Sequence, residues 1–314
     1  MPTKEVEMNK PCAEALVPID AEEAIVPIVS EESETAETED IPRHIQVIRP
    51  STGWQILNVR ELWHYRDLLV TLGVRDIKLR YRQTALGAIW VILQPLLAAG
   101  IFSFVFGRVA KLPSDGVPYF IFAYAGLLAW NAFSSALTKS GGSLVANAQL
   151  VSKVYFPRLI LPLSSIFSTL VDFGVALAMM AVLMVMNGIH PHPGILLMPV
   201  WLMIVLTIAL GLGLYASALM VTYRDVGYVV PVLTQFLMYA SPVAYSVSAV
   251  PGKMRFVYFM NPLSGVLEAF RWSMLGTGHI QWGYVAWSAT FAVLVFIFGA
   301  FSFRRMERKF ADVI

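Results

Sequence analysis

The sequence predicts an all-α integral membrane protein: six transmembrane helices, an amphipathic helix at the interface before the first, and two short re-entrant helices between spans five and six. Three observations carry that prediction. The 314 residues are 57% hydrophobic and 14% charged, with a mean hydropathy of +0.64, outside the range of soluble globular domains. Apolar stretches of about twenty residues, the length a helix needs to cross the hydrocarbon, fall at 85–107, 119–138, 159–186, 195–221, 229–247 and 284–303. Basic residues then gather at chain ends and connections that share one side of a membrane.

The organisation expected is an acidic tail at 1–42, a cytoplasmic interface segment at 43–84 and a six-span transmembrane domain at 85–314. The tail holds 12 of the 21 acidic residues against two lysines, with Pro2, Pro11, Pro18, Pro27 and the run Glu31-Glu32-Ser33-Glu34. So little apolar content cannot offset the entropy of ordering, so the tail is expected to be disordered, either as a solvated leader or as a docking segment for a partner. It has neither the basic start nor the apolar core of a secretion signal. The single cysteine, Cys12, excludes a disulfide framework.

Before the first span, Arg60, His64, Asp67, Thr71, Arg75, Lys78 and Arg82 recur at spacings of three and four, which places them along one helix face. Val59, Leu62, Trp63, Leu69, Val70, Val74, Ile77 and Tyr81 form the other. Such a helix lies in the headgroup plane, as a simple anchor or as a lever that takes force from a cytoplasmic partner. The run from Leu79 through Arg80, Arg82, Gln83 and Gly87 to Trp90 is expected to pass without a turn into the first span.

Lys139, Lys153 and Arg158 fall between the second and third spans, Arg224 follows the fourth, and Arg304, Arg305, Arg308 and Lys309 follow the sixth. With Arg75 to Arg82, they put both termini in the cytoplasm, outweighing Arg108, Lys111, Lys253, Arg255 and Arg271 on the opposite side. The connection from Gln149 through Lys153, Tyr155 and Phe156 to Arg158 is short and mildly amphipathic, and Pro157 stops it. It reads equally as a plain loop and as a short helix shaped to be gripped. Residues 251–278 are apolar yet interrupted by Asn261-Pro262 and charged by Arg255, Glu268 and Arg271, so they suit two short helices that dip into the outer leaflet and return. Glu268 and Arg271, three apart, share a face and are placed to pair.

Asp172 is the lone carboxylate deep in a predicted span, where an ionisable group is costly enough to raise a functional role; a structural partner in the bundle, such as a nearby hydroxyl, is the expected reading. Tyr119, Phe122, Tyr124, Tyr239 and Tyr245 gather toward the outer ends of the second and fifth spans, as interfacial belt residues or as a face on which sugar rings stack while sliding. The chain has no G-x-x-x-x-G-K-[ST] phosphate loop, since Gly252-Lys253-Met254 lacks both the upstream glycine and the hydroxyl. It has no H-E-x-x-H, and His190-Pro191-His192 reads as a turn. No nucleophile, base and orienting group can be assembled, so the chain itself is not expected to be an enzyme or to hold a metal or cofactor.

Five blocks then carry a resemblance. They are Arg80-Tyr81-Arg82-Gln83-Thr84-Ala85-Leu86-Gly87 with Trp90 and Gln94-Pro95; Lys153-Val154-Tyr155-Phe156-Pro157-Arg158 with Leu161-Pro162; Tyr223-Arg224-Asp225-Val226; Ser241-Pro242-Val243; and Asn261-Pro262-Leu263 followed by Glu268-Ala269-Phe270-Arg271-Trp272. Over residues 54–309 the chain resembles the membrane (permease) subunits of ABC-2-type polysaccharide and polyol-phosphate exporters, which export lipid-linked O-antigen, capsule and teichoic acid chains. The resemblance implies a homodimer around a continuous channel in the bacterial inner membrane, with two copies of a separate ABC ATPase subunit, which bind ATP and Mg, docked beneath it. It implies that Arg75, Lys78, Arg82, Gln149, Lys153, Tyr155, Phe156 and Arg158 lie at the ATPase interface, and that Asn261, Pro262, Glu268 and Arg271 belong to an outer gate. The substrate implied is a lipid-linked polysaccharide, with Arg75, Lys78, Arg80 and Arg82 as candidate partners of its pyrophosphate; membrane lipids surround the chain and no nucleic acid is involved. An ABC-2-type exporter of drugs or lipids is the alternative from the same architecture, and a membrane scaffold without transport is a further one. The acidic tail is not part of the family pattern.

Overall fold

The computed structural model describes residues 59–82, 87–247, 250–278, 280–307 and 310. The acidic tail, the turn-free junction expected across Gln83 to Leu86, and the terminal basic residues Arg308 and Lys309 lie outside the described residues. Within them, every regular element is helical. Two short helices, α1 (Val59–His64) and α2 (Arg66–Arg82), replace the single interface helix that the spacing predicts, with a break at Tyr65. Of the apolar face, Leu72 is buried while Trp63, Val70 and Val74 stay exposed. Gly73 fixes where α2 meets the bundle, because a Cβ there would stand 2.9 Å from the Phe167 ring.

The first long apolar helix comprises α3 (Gly87–Phe102) and a π-helical continuation, Ser103–Val109. Next come α4 (Tyr119–Ala146), α5 (Ala148–Lys153), α6 (Ile160–Met186) and α7 (Met198–Thr222). The chain then forms α8 (Val226–Ala240), α9 (Arg255–Met260), α10 (Pro262–Leu275) and α11 (Trp282–Glu307). Among the described residues, five stretches are long and apolar enough to cross a membrane: Ile89–Val109, Tyr119–Ala146, Ile160–Met186, Pro193–Thr222 and Trp282–Glu307.

The predicted fifth span is shorter than its apolar run. With 15 residues, α8 rises about 22 Å, less than the ~30 Å of hydrocarbon. The cause is local: Ser241 precedes Pro242, whose ring pushes the preceding residue out of the helical region, and Ser241 is extended at φ −109, ψ 156. The same rule separates α9 from α10, where Asn261 before Pro262 is extended and its side chain caps Leu263 N–H at 3.0 Å. Two short helices therefore do stand between the fifth and sixth predicted spans.

Helix α4 is the axis of the bundle and packs against α3, α6, α7, α8 and α10. Of its most apolar window 78% is buried, against 11% for the first span, which leaves Ile89, Trp90, Leu97, Ile101 and Phe104 exposed. Close crossings are made by small residues, as expected where lipid removes the hydrophobic drive between helices. Gly211 of α7 lies against Val295 and Gly299 of α11, Gly213 of α7 against Ser140 of α4, and Gly265 of α10 against the Tyr284 carbonyl of α11. A second cluster of buried side chains, with Leu72, Leu144, Phe156, Leu159, Phe303 and Phe310, closes the end that carries α2 and α5, here termed the lever end.

Candidate functional site

At the lever end, α2 is tied to the α4–α5 corner. Arg75 donates from Nε and Nη2 to Asp76 Oδ1 (3.1 and 2.8 Å) and from Nη2 to Asn147 Oδ1 at 2.7 Å. Asn147, which precedes α5, donates in turn to the Ser143 carbonyl at 2.9 Å.

The eight residues placed by resemblance at an ATPase interface divide in two. Lys78, Arg82, Gln149, Lys153 and Tyr155 are exposed, Tyr155 at 67%, and Arg75 is partly buried in the tie just described. Phe156 is buried in the lever-end core, and Arg158 donates to the Glu307 carbonyl at 3.0 Å and lies over the Phe310 ring at 5.7 Å. Those two anchor the connection to the end of α11, which leaves Lys153 and Tyr155 as its projecting part. The connection begins as a short helix, α5, and continues without helix from Val154 to Arg158.

Deeper in the bundle, Asp172 has partners on two neighbouring helices. Its Oδ2 accepts from Arg80 Nη1 of α2 at 2.5 Å and from Lys139 Nζ of α4 at 2.9 Å, so two cations neutralise it. The hydroxyl of Ser168 accepts a second bond from Lys139, at 2.9 Å. Lys139 was read as a loop residue because it follows Thr138, where the apolar run stops. The small residues Ser140, Gly141, Gly142 and Ser143 extend α4 beyond that point and keep Lys139 inside the helix. A cavity of about 630 Å³ opens beside the cluster between Arg80, Lys139, Ser143, Asn147 and Ser168, and a second of about 330 Å³ reaches Gln94, Asn131 and Asp172.

At the far end, the pairing expected between Glu268 and Arg271 is replaced. No salt bridge joins them among the described residues; Arg271 is fully buried, donates from Nη2 to the Pro242 and Val243 carbonyls, and lies 4.0 Å over the Phe122 ring. Gly126 makes the space, since a Cβ there would meet the Val243 carbonyl at 2.5 Å. Glu268 accepts from the Val247 N–H at 3.2 Å, and burial pushes its carboxyl above the usual glutamate range against the pull of Arg271 and that bond. Asn261 donates to the Ala240 carbonyl at 3.2 Å and to Ser241 Oγ at 2.9 Å. Pro262, at the first helical position, continues the chain into α10. All four residues assigned to an outer gate thus sit where α10 clamps the turn that ends α8.

The five aromatics read as a sliding face also separate. Phe122 and Tyr124 are fully buried, Tyr124 donating to the Ala176 carbonyl at 3.0 Å, and Tyr119 donates to the Ala244 carbonyl. Tyr239 is exposed, and Tyr245, half-buried, donates to its carbonyl at 3.2 Å. Among the described residues no group of three or more His, Cys, Asp or Glu could hold a metal. His192 accepts from the Gly194 N–H at 3.0 Å and packs edge-on to Trp272, a cap at the start of the turn before α7. Sequence reasoning missed Lys139 and the Pro242 and Val243 carbonyls; the signal for the first was Asp172 itself, which demanded a cation on a neighbouring helix.

Long apolar helices with paired charges within their bundle define a multi-pass membrane protein. The chain belongs to the ABC-2 type transporter membrane family, matched over residues 67–275. It is 32% identical over 215 residues to the O-antigen export system permease protein RfbA of Myxococcus xanthus, covering 68% of this chain and 82% of that protein. A Klebsiella pneumoniae protein of the same name is 27% identical, over 79% of this chain and 95% of its own length. The polysialic acid transport protein KpsM of Escherichia coli is 25% identical, over 75% and 92% respectively.

Proposed function

We propose that this chain is the channel-forming membrane subunit of an ABC exporter that moves a lipid-linked, O-antigen-like or related cell-surface polysaccharide across the bacterial inner membrane. The observation that carries this reading is the set of O-antigen and polysialic acid permeases that align with it along 82–95% of their own lengths. Two copies form the channel, and two ATPase subunits holding ATP and Mg dock at the lever end, which faces the cytoplasm with both termini. Exposed Lys78, Arg82, Gln149, Lys153 and Tyr155 support that docking surface, and the tie from Asn147 to Arg75 supports α2 as the element that receives the stroke. In this reading residues 43–84 form the interface segment and 85–314 the channel domain.

The uncovered faces of α3 with its π-helical continuation and of α8, with Leu97 and Phe104 on one and Tyr228, Val232 and Phe236 on the other, support contact with a second copy or with lipid. Helix α8 with the turn after it serves as the fifth of six crossings, and α9 and α10 form the outer gate held by Asn261 and Arg271. The polymer passes Tyr239 and Tyr245, whose ring faces give weak contacts that release as readily as they form, and Arg75, Lys78, Arg80 and Arg82 meet the carrier's pyrophosphate as it enters. The test is ATP turnover by the complex reconstituted in proteoliposomes. A lipid-linked glycan is expected to raise turnover; stimulation by a small amphiphile alone would instead assign a drug or lipid exporter, and failure to bind any ATPase would assign a scaffold.

A further inference from the structure

We propose that Asp172 is a shared carboxylate that latches α2 to the bundle, and that Asp172 and Lys139 are positioning residues that set when α2 is released. The inference rests on the reading of α2 as the driven element. Three helices meet at one oxygen: Arg80 comes from α2, Lys139 from α4 and Asp172 from α6. The two cations differ in how they are held. Lys139 is bonded to both Asp172 and Ser168 of α6, and Ser168 Oγ donates onward to the Ser165 carbonyl at 3.0 Å, so α4 and α6 form a fixed pair. Arg80 reaches in from a helix whose side chain there is 41% exposed, against 26% for Lys139 and 14% for Asp172.

Release of α2 would ordinarily strand a carboxylate inside a membrane bundle, which is strongly unfavourable. Here Asp172 keeps Lys139 when Arg80 leaves, so the carboxylate retains a cation. Without Lys139, parting from Arg80 costs the carboxylate more, and α2 stays clamped. The surroundings suit a hinge. Gly73 rests on Phe167 seven residues before Arg80, about 10 Å along the helix axis, and provides a close-packed pivot. The 630 Å³ cavity beside the latch, with Ser143, Asn147 and Ser168 in its lining, gives Arg80 space into which to turn.

The test places spin labels at exposed Leu79 of α2 and Leu170 of α6, in a chain whose single cysteine, Cys12, is replaced by serine, diluted with unlabelled copies in nanodiscs. In the isolated chain, wild type is expected to give one narrow distance. D172N and R80Q broaden or shift it by about 2 Å or more, the scale of helix shifts in switching proteins; K139M leaves it narrow. With the ATPase and a non-hydrolysable nucleotide, wild type and K139R shift while K139M stays clamped. A cluster with only a structural role would loosen α2 equally in D172N, R80Q and K139M, and that result overturns the latch. A K139M chain that shifts with nucleotide as wild type does overturns it too. Failure of wild type to shift with nucleotide refutes the driven-lever reading, while the isolated-chain distances still decide whether Asp172 holds α2.

Discussion

Gly299→Ala isolates the packing that holds the bundle together. A Cβ at Gly299 would lie 2.0 Å from the Gly211 carbonyl oxygen, 2.8 Å from its carbon and 3.1 Å from its Cα. Carbon and oxygen in close contact sit about 3.3 Å apart, so α7 and α11 must separate by roughly 1.3 Å. The opposing atoms are helix backbone and have no rotamer by which to move aside. Overpacking of this kind costs about 1–3 kcal/mol, and in a membrane the loss extends to the dispersion contacts along both helices, because no hydrophobic drive compensates for it. Taking about 3 kcal/mol, and about 2–4 °C per kcal/mol for a domain of this size, Tm should fall by roughly 6–12 °C. The control is Gly174 in α6, where a Cβ meets nothing within 4 Å. Gly174→Ala should be neutral or stabilising by about 0.5–1 kcal/mol through the backbone entropy that alanine saves. Thermal unfolding of the purified protein in one detergent compares the two. Equal melting of Gly299→Ala and wild type, or equal losses at both glycines, would refute the argument that backbone contact at this crossing sets the stability.

Phe156→Ala, which empties a buried site, should cost about 3–5 kcal/mol in the same melt, whereas Tyr155→Ala at the preceding, exposed position should leave Tm unchanged and weaken co-purification of the ATPase. Arg271→Met removes the bonds to the Pro242 and Val243 carbonyls and the contact with Phe122, and should cost about 3 kcal/mol; Arg271→Lys should recover only part of it, since an ammonium lacks the planar fork. Glu268 carries a folded-state carboxyl raised by burial, so the folded chain binds a proton where the unfolded chain does not, and the penalty of its buried charge is relieved as the pH falls. Wild type should therefore gain thermal stability relative to Glu268→Gln as the pH is lowered from neutral toward the ordinary glutamate value of about 4.3, and parallel curves for the two proteins would exclude that role.

Much of the architecture was readable because bilayer thickness is a length constraint that a one-dimensional pattern can meet. The apolar runs at 119–138, 159–186, 195–221 and 284–303 each became a long helix, and the two prolines at 242 and 262 mark where helices stop. Reading hydropathy as the limit of a helix failed at Lys139 and at Val247. A charged residue did not end α4, because Asp172 awaited it on another helix. An apolar residue did not continue α8, because Pro242 had already turned the chain.

By itself, the sequence determined that this chain is a helical membrane protein with a basic, polar lever end and no nucleotide-binding loop, since composition, span length and missing motifs are properties of the chain alone. Only the tertiary structure decided which charges neutralise one another. Arg80, Lys139 and Asp172 lie far apart along the chain, and Arg271 turned from its helical neighbour Glu268 to the carbonyls beside Pro242. The physical reason is that burial makes a charge seek a partner anywhere within reach, and reach is set by how helices cross, at glycines whose missing side chains become meaningful only when another backbone lies against them.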